Sequence, residues 1–390
     1  MRNLAVLGAT GSIGRAALEV AEAFPERFRV VALAAGRSVE RLAGQVGRHR
    51  PALVSVERPE DAARLAALLP AGGPRIVSGP GGLEEVAAFH SADTVVGGLV
   101  GALGLRSAHA AVTAGKRLAL ANKETLVVAG ELILRAAARS GAEILPVDSE
   151  HSAIHQALRC GSAHEVERLI LTASGGPFRE RDLSTFESIT VEDALAHPTW
   201  KMGPKISVDS ATMMNKGLEI IEAHFLFGLP SEKIDVLVHP QSAVHSLVEF
   251  VDGSLVAQIA RNDMKLPILY ALAYPDRVGN AFGRLDLAAL GRLEFYALDA
   301  RRYPAVALAR ETLRAGGAAP AILNAANEVA VEAFLEGKIS FPGIVQVVSG
   351  AIAAAGRVGA PSSIEETEEI DRDARRIAAG IVRQLVGVAS

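Results

Sequence analysis

The chain has 390 residues and a net charge of −4, with 49% hydrophobic and 22% charged residues. This length and balance predict a globular protein of two or three domains and exclude the disordered and fibrous classes. The weakly acidic charge argues against nucleic acid and against an anionic membrane surface as partners.

Two further features bear on the compartment and on membrane association. The single cysteine, Cys160, excludes an internal disulfide, so we expect a cytoplasmic protein. The longest apolar run, residues 94–105, is shorter than the roughly 20 residues that a spanning helix needs and is rich in glycine. We therefore predict no membrane span.

Short β-type runs alternate with helical stretches from residue 3 to residue 149. Seven of these runs are continuously apolar, which is typical of strands covered on both faces. The alternation predicts an α/β fold with an N-terminal Rossmann-type, doubly wound parallel sheet. We place this first domain at residues 1–147, with strands in NLAVLG, RVVALAAG, ALVSV, RIVSG, TVVGGL, RLALAN and EILPVDS.

The rhythm changes after residue 150, and we place a central α+β domain at residues 148–276. Two alternating apolar runs flank Asp252-Gly253 and predict a β-hairpin, whose edge would pair across a dimer. Residues 277–302 are interpreted as a connecting arm, and the amphipathic stretches of 303–390 predict a C-terminal helical bundle.

A glycine-rich turn, GATGSIG, follows the first predicted strand and opens the first helix. Gly8, Gly11 and Gly14 form a variant of the dinucleotide fingerprint, in which amides at the helix start face a pyrophosphate. A tight turn without a ligand is the alternative. The second strand ends in AAGRS, where Arg37 and Ser38 replace the carboxylate that binds a ribose 2′-hydroxyl. This favours NADP over NAD, unless Arg37 is only a solvated loop charge.

The segment PVDSEHSA places Asp148 and Glu150 two residues apart after the seventh predicted strand. On an extended segment such residues project to the same side, so we expect the two carboxylates to converge. They would repel each other unless a proton or a hard cation such as Mg²⁺ or Mn²⁺ lay between them. The alternative is a helix N-cap before SAIHQAL.

A second polar cluster lies in SVDSATMMNKGLE, where Ser210, Asn215 and Lys216 offer donors suited to a phosphate monoester. Glu219 would supply a third carboxylate, four residues after Asn215 on one helical face. An ordinary amphipathic helix with a polar start is the alternative. In TASGGPF, Ser174 precedes two glycines that let backbone amides approach an anion, although a plain turn would look the same.

The loop around residues 196–204 has the composition of a closing lid. It carries His197, Trp200 and Met202, with proline and glycine near its ends and an aromatic side chain to cover a ligand. The alternatives are a structural histidine and a tryptophan that anchors the core.

Seven motifs together resemble the 1-deoxy-D-xylulose 5-phosphate reductoisomerase family. The resemblance covers nearly the whole chain in order, and VDSEHSA with SATMMNKGLE is highly specific. It implies that the protein converts 1-deoxy-D-xylulose 5-phosphate to 2-C-methyl-D-erythritol 4-phosphate with NADPH, on the non-mevalonate isoprenoid route. The rearrangement would be a retroaldol–aldol reaction or an α-ketol shift, and the enzyme would be a homodimer. The motifs are GATGSIG, LANKE (120–124), VDSEHSA (147–153), LTASGGPF (171–178), VDSATMMNKGLE (208–219), HPQSAVHS (239–246) and NAANEVAV (324–331).

The resemblance also implies that residues 1–147 form the NADPH-binding domain and that residues 148–276 form the catalytic and dimerisation domain with a flexible flap. It further implies roles for individual residues. A divalent metal, Mg²⁺ or Mn²⁺, would be held by Asp148, Glu150 and Glu219, and these three with Lys123 and His197 would be catalytic. Substrate binding is implied for Ser149, Glu150, Ser174, His197, Trp200, Met202, Ser210, Asn215, Lys216 and Glu219. NADPH binding is assigned to Gly8, Thr10, Gly11, Ser12, Ile13, Gly14, Gly36, Arg37, Ser38, Asn122, Glu124 and Gly203. Ala9, where many members carry Ser, and the Arg37-Ser38 pair are the departures.

Two other functions remain compatible with parts of the pattern. A simpler NADP-dependent oxidoreductase, such as a semialdehyde or homoserine dehydrogenase, shares the first domain but does not need three carboxylates. A non-catalytic NADP-sensing module would bind the cofactor and use its second domain only for partner contacts. Metal dependence distinguishes the first alternative, and absence of hydride transfer distinguishes the second.

Overall fold

The computed structural model describes residues 1–200 and 202–389, which divide into two compact units. Unit 1 consists of Met1–Thr125, Ile133–Ser152 and Asp263–Arg284. Unit 2 consists of Leu126–Leu132, Ala153–Asn262 and the described residues from Leu285 onward. The two units are defined by compactness alone and do not test functional boundaries. The predicted division of the chain into cofactor, catalytic, arm and C-terminal regions therefore stays a prediction.

Unit 1 is built on a parallel sheet, and all seven strands predicted from the sequence are present. The strands are β1 (Arg2–Leu7), β2 (Phe28–Ala34), β3 (Leu53–Val56), β4 (Arg75–Ser78), β5 (Thr94–Gly97), β6 (Arg117–Leu120) and β7 (Ile144–Pro146). They follow the order β4-β3-β2-β1-β5-β6-β7, with every described pair parallel. The connecting helices are α1 (Ser12–Ala23), α2 (Val39–His49), α3 (Pro59–Leu68), α4 (Gly79–Ala87), α5 (Leu105–Thr113), α6 (Glu124–Ser140) and α7 (Ser149–Ala157).

Both faces of this sheet are apolar because helices cover each of them. Leu4, Val6 and Leu33 are fully buried, and they share one core with residues of α1 and α2. Burial of both faces therefore explains the continuous hydrophobic runs from which the strands were predicted.

Unit 2 contains a mixed five-stranded sheet in the order β11-β10-β8-β9-β12. Its strands are β8 (Val166–Ala173), β9 (Ile234–Val238), β10 (Val244–Phe250), β11 (Leu255–Ile259) and β12 (Tyr296–Ala297). The predicted hairpin is confirmed, since β10 and β11 pair antiparallel around Asp252-Gly253. Gly253 adopts a φ of +83°, which a glycine reaches without a Cβ clash.

The remaining helices include four at the C-terminal end that pack against one another as the helical C-terminal region. In chain order the remaining helices are α8 (Val191–Leu195), α9 (Pro204–Thr212), α10 (Met214–Phe227), α11 (Lys265–Ala273), which belongs to unit 1, α12 (Leu287–Leu290), α13 (Pro304–Ala315), α14 (Ala319–Leu335), α15 (Phe341–Ala355) and α16 (Ile364–Ala389). In the described part of the chain, no helix combines the length and apolar character required to cross a membrane.

The glycine turn after β1 leaves no room for a side chain on α1. A Cβ on Gly14 would lie 2.2 Å from the carbonyl oxygen of Gly8 and 2.6 Å from the Cα of Ala9. We expect Gly14→Ala to destabilise the protein by roughly 1–3 kcal/mol, because strand or helix must shift. Urea denaturation with an unchanged m-value is the measurement.

Gly44 in the interior of α2 supplies the matched control, because a Cβ there meets no heavy atom within 4 Å. We expect Gly44→Ala to stabilise the protein by about 0.5–1 kcal/mol, since alanine has less conformational freedom to lose on folding. Equal midpoints for the two variants would contradict the close strand–helix packing.

Candidate active site

The polar motifs of unit 1 lie at one edge of its sheet. Because β1, β5, β6 and β7 are parallel, their carboxyl ends meet at that edge. Gly8 follows β1, Asn122 follows β6 and Asp148 follows β7. The chain order reverses between β1 and β5, and such switch points are where doubly wound sheets bind ligands.

The turn after β1 has the geometry of an anion cradle. Gly8 has a φ of +73°, and a Cβ there would lie 2.5 Å from the carbonyl oxygen of Gly98. Helix α1 begins after Gly11 with no side-chain cap, and Gly11 and Ser12 are exposed. The first amides of α1 therefore face open space, which suits a pyrophosphate.

Arg37 ends the loop after β2, but it already has a partner. Its guanidinium pairs with the Glu57 carboxylate at 2.9 Å, and the hydrogen bond to Glu57 raises the pKa of Arg37. Both side chains are largely exposed, and such surface pairs are weak. A cofactor phosphate would therefore compete with Glu57 for Arg37, a neighbour that sequence reasoning missed.

Asn122 organises the polar segment that follows β6. Its side-chain amide donates to the Gly101 carbonyl at 3.0 Å and to the Glu124 carboxylate at 2.8 Å. The hydroxyl of Thr125 donates to the Asn122 oxygen at 2.6 Å. These side chains are buried, so the segment is held rigidly. Sequence reasoning missed Thr125, although it directly follows the LANKE motif.

Asp148 forms a largely buried ion pair with Lys123. The side chains are 11% and 7% exposed, and the His151 ring lies 3.9 Å from the Asp148 carboxylate. Burial raises the pKa of Asp148, but the charge of Lys123 and the nearby His151 ring outweigh it and hold that pKa well below its usual range. Asp148 is therefore an ionised carboxylate near neutral pH.

The predicted convergence of the two carboxylates is confirmed, since oxygens of Asp148 and Glu150 lie within 4.8 Å of each other, but the predicted extended backbone at Glu150 is wrong. Strand β7 ends at Pro146, and the Asp148 carbonyl accepts the Ser152 amide at 2.8 Å, which closes the first helical turn. Glu150 therefore lies in the first turn of α7, so the alternative of a helix start was correct for the backbone. The Ser149 hydroxyl donates to the Glu150 carboxylate at 2.5 Å.

In unit 2, the second polar cluster spans a corner between two helices. Met213 has a left-handed φ of +60° and separates α9 from α10. Ser210 lies in the last turn of α9, whereas Asn215 and Lys216 lie in the first turn of α10. Asn215 donates to the Glu219 carboxylate at 2.5 Å, and the Lys216 ammonium pairs with the same carboxylate, which is almost fully buried.

The glycine turn after β8 packs directly against α9. Gly175 and Gly176 both have positive φ, and a Cβ on Gly176 would lie 2.8 Å from the Ser210 carbonyl oxygen. The Gly176 amide donates to the Ser174 hydroxyl at 3.1 Å. The structure thus brings the Ser174 turn and the end of α9 together.

The hydrogen bonds of His197 fix its tautomer. Its Nδ1 accepts the amides of Trp200 at 3.0 Å and Thr199 at 3.2 Å, so the proton resides on Nε2. Nε2 lies 3.0 Å from the Ser174 hydroxyl. Burial lowers the pKa of His197 below 6.5, so the ring is neutral near pH 7. Trp200 and Met202 are half-buried, and residue 201 lies outside the described residues.

The donors of both units suit the ligands considered in the sequence analysis. Carboxylate oxygens, here those of Asp148, Glu150 and Glu219, are what hard divalent cations prefer. Hydroxyl, amide, imidazole and ammonium donors near Ser174 and Lys216 suit a phosphate monoester. The assignment of these residues as ligands stays a prediction.

Comparison with known sequence families gives one consistent result. Residues 4–130 match the family described as 1-deoxy-D-xylulose 5-phosphate reductoisomerase. Residues 144–227 and 259–377 match two families described as C-terminal domains of that reductoisomerase.

Individual relatives with this name match over nearly the full length. A reductoisomerase from Chlorobium chlorochromatii is 51% identical over 375 residues, which are 96% of this chain and 98% of the relative. One from Xanthomonas euvesicatoria pv. vesicatoria is 54% identical over 383 residues, which are 97% of this chain and 96% of the relative.

Solved structures agree with the fold. The reductoisomerase from Zymomonas mobilis, in complex with NADPH, is 44% identical with a TM-score of 0.92, and the match covers 98% of this chain and 99% of that one. A DOX-P reductoisomerase in complex with NADPH, fosmidomycin and magnesium is 42% identical with a TM-score of 0.93, and 99% of each chain is covered.

We expect ¹⁵N NMR to find His197 neutral at pH 7, with its proton on Nε2 and a pKa below 6.5. Because the unfolded state binds this proton at higher pH than the folded state, protonation favours unfolding. The stability that His197 contributes is complete above about pH 6.5 and is lost as the pH falls through its folded pKa. His197→Gln assigns the resonances, and a proton found on Nδ1 would refute the geometry.

Proposed function

The chain belongs to the 1-deoxy-D-xylulose 5-phosphate reductoisomerase family, and we propose on that basis that it is a metal-dependent, NADPH-dependent reductoisomerase. It converts 1-deoxy-D-xylulose 5-phosphate to 2-C-methyl-D-erythritol 4-phosphate. The observation that carries this proposal is the common sheet edge in unit 1, which carries both the anion cradle after β1 and the ionised Asp148 after β7. A reductase acting beside a metal needs both features at one place.

NADPH is the proposed hydride donor. The uncapped start of α1 supports a pyrophosphate site, and Arg37 with Ser38 supports a 2′-phosphate rather than a bare ribose. The NADPH complex of the Zymomonas relative supports the same cofactor. The cofactor-binding residues are Gly8, Thr10, Gly11, Ser12, Ile13, Gly14, Gly36, Arg37, Ser38, Asn122, Glu124 and Gly203.

Asp148, Glu150 and Glu219 are the proposed ligands of a divalent cation. The low pKa of Asp148 supports this role, since a ligand carboxylate must be deprotonated. A magnesium complex of a relative supports Mg²⁺, and Mn²⁺ takes the same oxygen donors. When bound, the cation supplies Lewis-acid polarisation of the substrate carbonyl and the adjacent hydroxyl.

Residues of unit 2 are proposed to bind the substrate phosphate. The Nε2–H of His197 donates to the Ser174 oxygen at 3.0 Å, which orients the Ser174 hydroxyl to donate its own proton to the phosphate. Ser210, Asn215 and Lys216 complete the donor set from the corner between α9 and α10. Trp200 and Met202 belong to the loop that closes over the substrate and excludes water.

The chemistry proceeds in two stages. A skeletal rearrangement, by retroaldol–aldol or α-ketol shift, gives a branched aldehyde with no change in oxidation state. Hydride from NADPH and one proton then convert the aldehyde to the primary alcohol. The chain contributes placement: the Lys123 ammonium, fixed by Asp148, and the Ser149 hydroxyl contact the oxygenated carbons of the substrate. We further propose a cytoplasmic location and a role in isoprenoid precursor synthesis.

A homodimer is proposed through the edge strand β11. Within the described residues β11 pairs only with β10, so one of its edges is open. Leu255 and Ile259 are 54% and 38% exposed on this strand, and nearby Val251 is 63% exposed. An open apolar edge favours aggregation unless it is covered, and a second copy provides a symmetric cover.

We expect Glu150→Gln to reduce kcat/KM by at least about a hundredfold, because the amide keeps the shape but loses the ligand charge. The assay is oxidation of NADPH with 1-deoxy-D-xylulose 5-phosphate, with and without Mn²⁺. The control is Glu26→Gln, which removes an exposed carboxylate and leaves turnover unchanged.

The outcomes separate the candidate functions. Turnover that needs both metal and Glu150 supports the reductoisomerase. Oxidation without metal would replace it by a simpler NADP-dependent oxidoreductase. A folded protein that binds NADPH but oxidises none would identify a sensing module.

We expect Leu255→Lys to shift the protein from dimer to monomer in sedimentation velocity, because a buried lysine charge opposes association. Leu68→Lys is the control, since Leu68 is 52% exposed but lies in unit 1 at the end of α3. A monomeric wild type would refute the dimer, and dissociation of both variants would refute the assignment to β11.

A further inference from the structure

We define the phosphate pocket of unit 2 as the Ser174–Gly176 turn together with the end of α9 at Ser210. Residues of the C-terminal helical region form hydrogen bonds to this pocket. Two buried hydrogen bonds make this connection, one to each side of the pocket. Neither of their donors, Asn327 and Tyr303, belongs to the set assigned to substrate binding.

The first hydrogen bond reaches α9 from α14. The side-chain amide of Asn327 donates to the Asp209 carboxylate at 2.8 Å, and both residues are almost completely buried. The other Asp209 oxygen lies 3.0 Å from the Lys205 ammonium, one turn earlier on α9. The Asn327 oxygen has no hydrogen-bond partner among the described residues, so donation to Asp209 is the polar contact that this amide keeps.

The position of Asp209 gives this contact its consequence. Asp209 immediately precedes Ser210 on α9, so fixing its carboxylate fixes the rotation of the helix about its axis. A rotated α9 would aim the Ser210 hydroxyl away from the pocket. A buried carboxylate that loses a hydrogen-bond donor is destabilised, so we expect substitution of Asn327 to disturb Asp209.

The second hydrogen bond reaches the glycine turn from the residue before α13. The Tyr303 hydroxyl donates to the Gly175 carbonyl at 2.7 Å, and Tyr303 is 2% exposed. Gly175 has a φ of +81°, and the bond holds the Gly175–Gly176 peptide in the orientation in which the Gly176 amide donates to the Ser174 hydroxyl. Burial raises the pKa of Tyr303 to about 12, so the hydroxyl remains a donor.

The two sides of the pocket cannot move independently. A Cβ on Gly176 would lie 2.8 Å from the Ser210 carbonyl oxygen and 3.1 Å from the Cα of Ala211, so turn and helix are in direct contact. Loss of either hydrogen bond therefore weakens the packing between the glycine turn and α9.

We propose that Asn327 and Tyr303 are positioning residues for a phosphate monoester: Asn327 orients α9 through Asp209, and Tyr303 orients the glycine turn through the Gly175 carbonyl. This inference rests on the proposed function, because it names the residues that shape the phosphate end of that site. It also gives a role to Asn327 of the NAANEVAV motif, for which the family resemblance implied no function.

The test compares two substrates in the full-length protein. For Asn327→Ala and for Tyr303→Phe, we expect kcat/KM with 1-deoxy-D-xylulose 5-phosphate to fall about tenfold, the effect of losing one buried hydrogen bond. With 1-deoxy-D-xylulose, which lacks the phosphate, the change should stay within about twofold, because the lost contact acts only on the phosphate. The dissociation constant of inorganic phosphate, measured by calorimetry, should rise by the same factor of about ten.

The chain provides matched controls. Asn324→Ala removes an equally buried asparagine on α14 that donates to Glu328 instead of α9. Tyr296→Phe removes a hydroxyl from an exposed tyrosine. Both controls should retain wild-type values for either substrate and for phosphate. Tyr303→Phe keeps the ring packing, so it remains informative even where Asn327→Ala folds poorly.

Three results would overturn the proposal. Equal losses with both substrates would indicate a general structural role, as would equal losses in Asn327→Ala and Asn324→Ala. Unchanged phosphate binding in both test variants would exclude positioning of the pocket. A wild type that binds phosphate but does not turn over the sugar phosphate would refute the proposed function alone, since the phosphate measurement still decides the role of Asn327 and Tyr303.

Discussion

Parallel alignment of the strands in unit 1 is the constraint on which the candidate site depends. Since every strand runs in the same direction, each loop that follows a strand emerges at the same edge. Residues as distant in sequence as Gly8 and Asp148 therefore share one surface. The helices needed to connect parallel strands cover both faces, and this leaves the carboxyl edge as the surface where polar groups remain accessible.

Unit 2 solves a different problem, which is to present many donors within a small volume. A straight helix from α9 into α10 would distribute its polar side chains around the axis. The left-handed Met213 instead creates a corner, and residues on both sides of it keep helical hydrogen bonding. Methionine adopts this conformation less readily than glycine, so the surrounding packing must hold it, and Met213 is indeed 2% exposed.

Sequence reasoning predicted what local patterns determine. The seven strands of unit 1 and the hairpin at Asp252-Gly253 follow from apolar periodicity and turn chemistry, and all are present. It failed where a single hydrogen bond determines the backbone conformation. The Ser152 amide donates to the Asp148 carbonyl and closes a helical turn, so Glu150 lies in a helix and not in an extended segment. It also missed pairs that are joined only by the fold, such as Asn327 with Asp209 or Tyr303 with Gly175, because no periodicity links residues more than a hundred positions apart.

The Arg37–Glu57 pair has a consequence for how cofactor preference can diverge in this fold. Arg37 and Ser38 are exposed, whereas the glycines of the neighbouring cradle are packed against backbone atoms. In the proposed cofactor site, the residues that would discriminate between two dinucleotides are thus separate from the turn that would anchor either of them. We therefore expect substitutions at positions 37, 38 and 57 to change the preference between NADP and NAD while the scaffold stays intact.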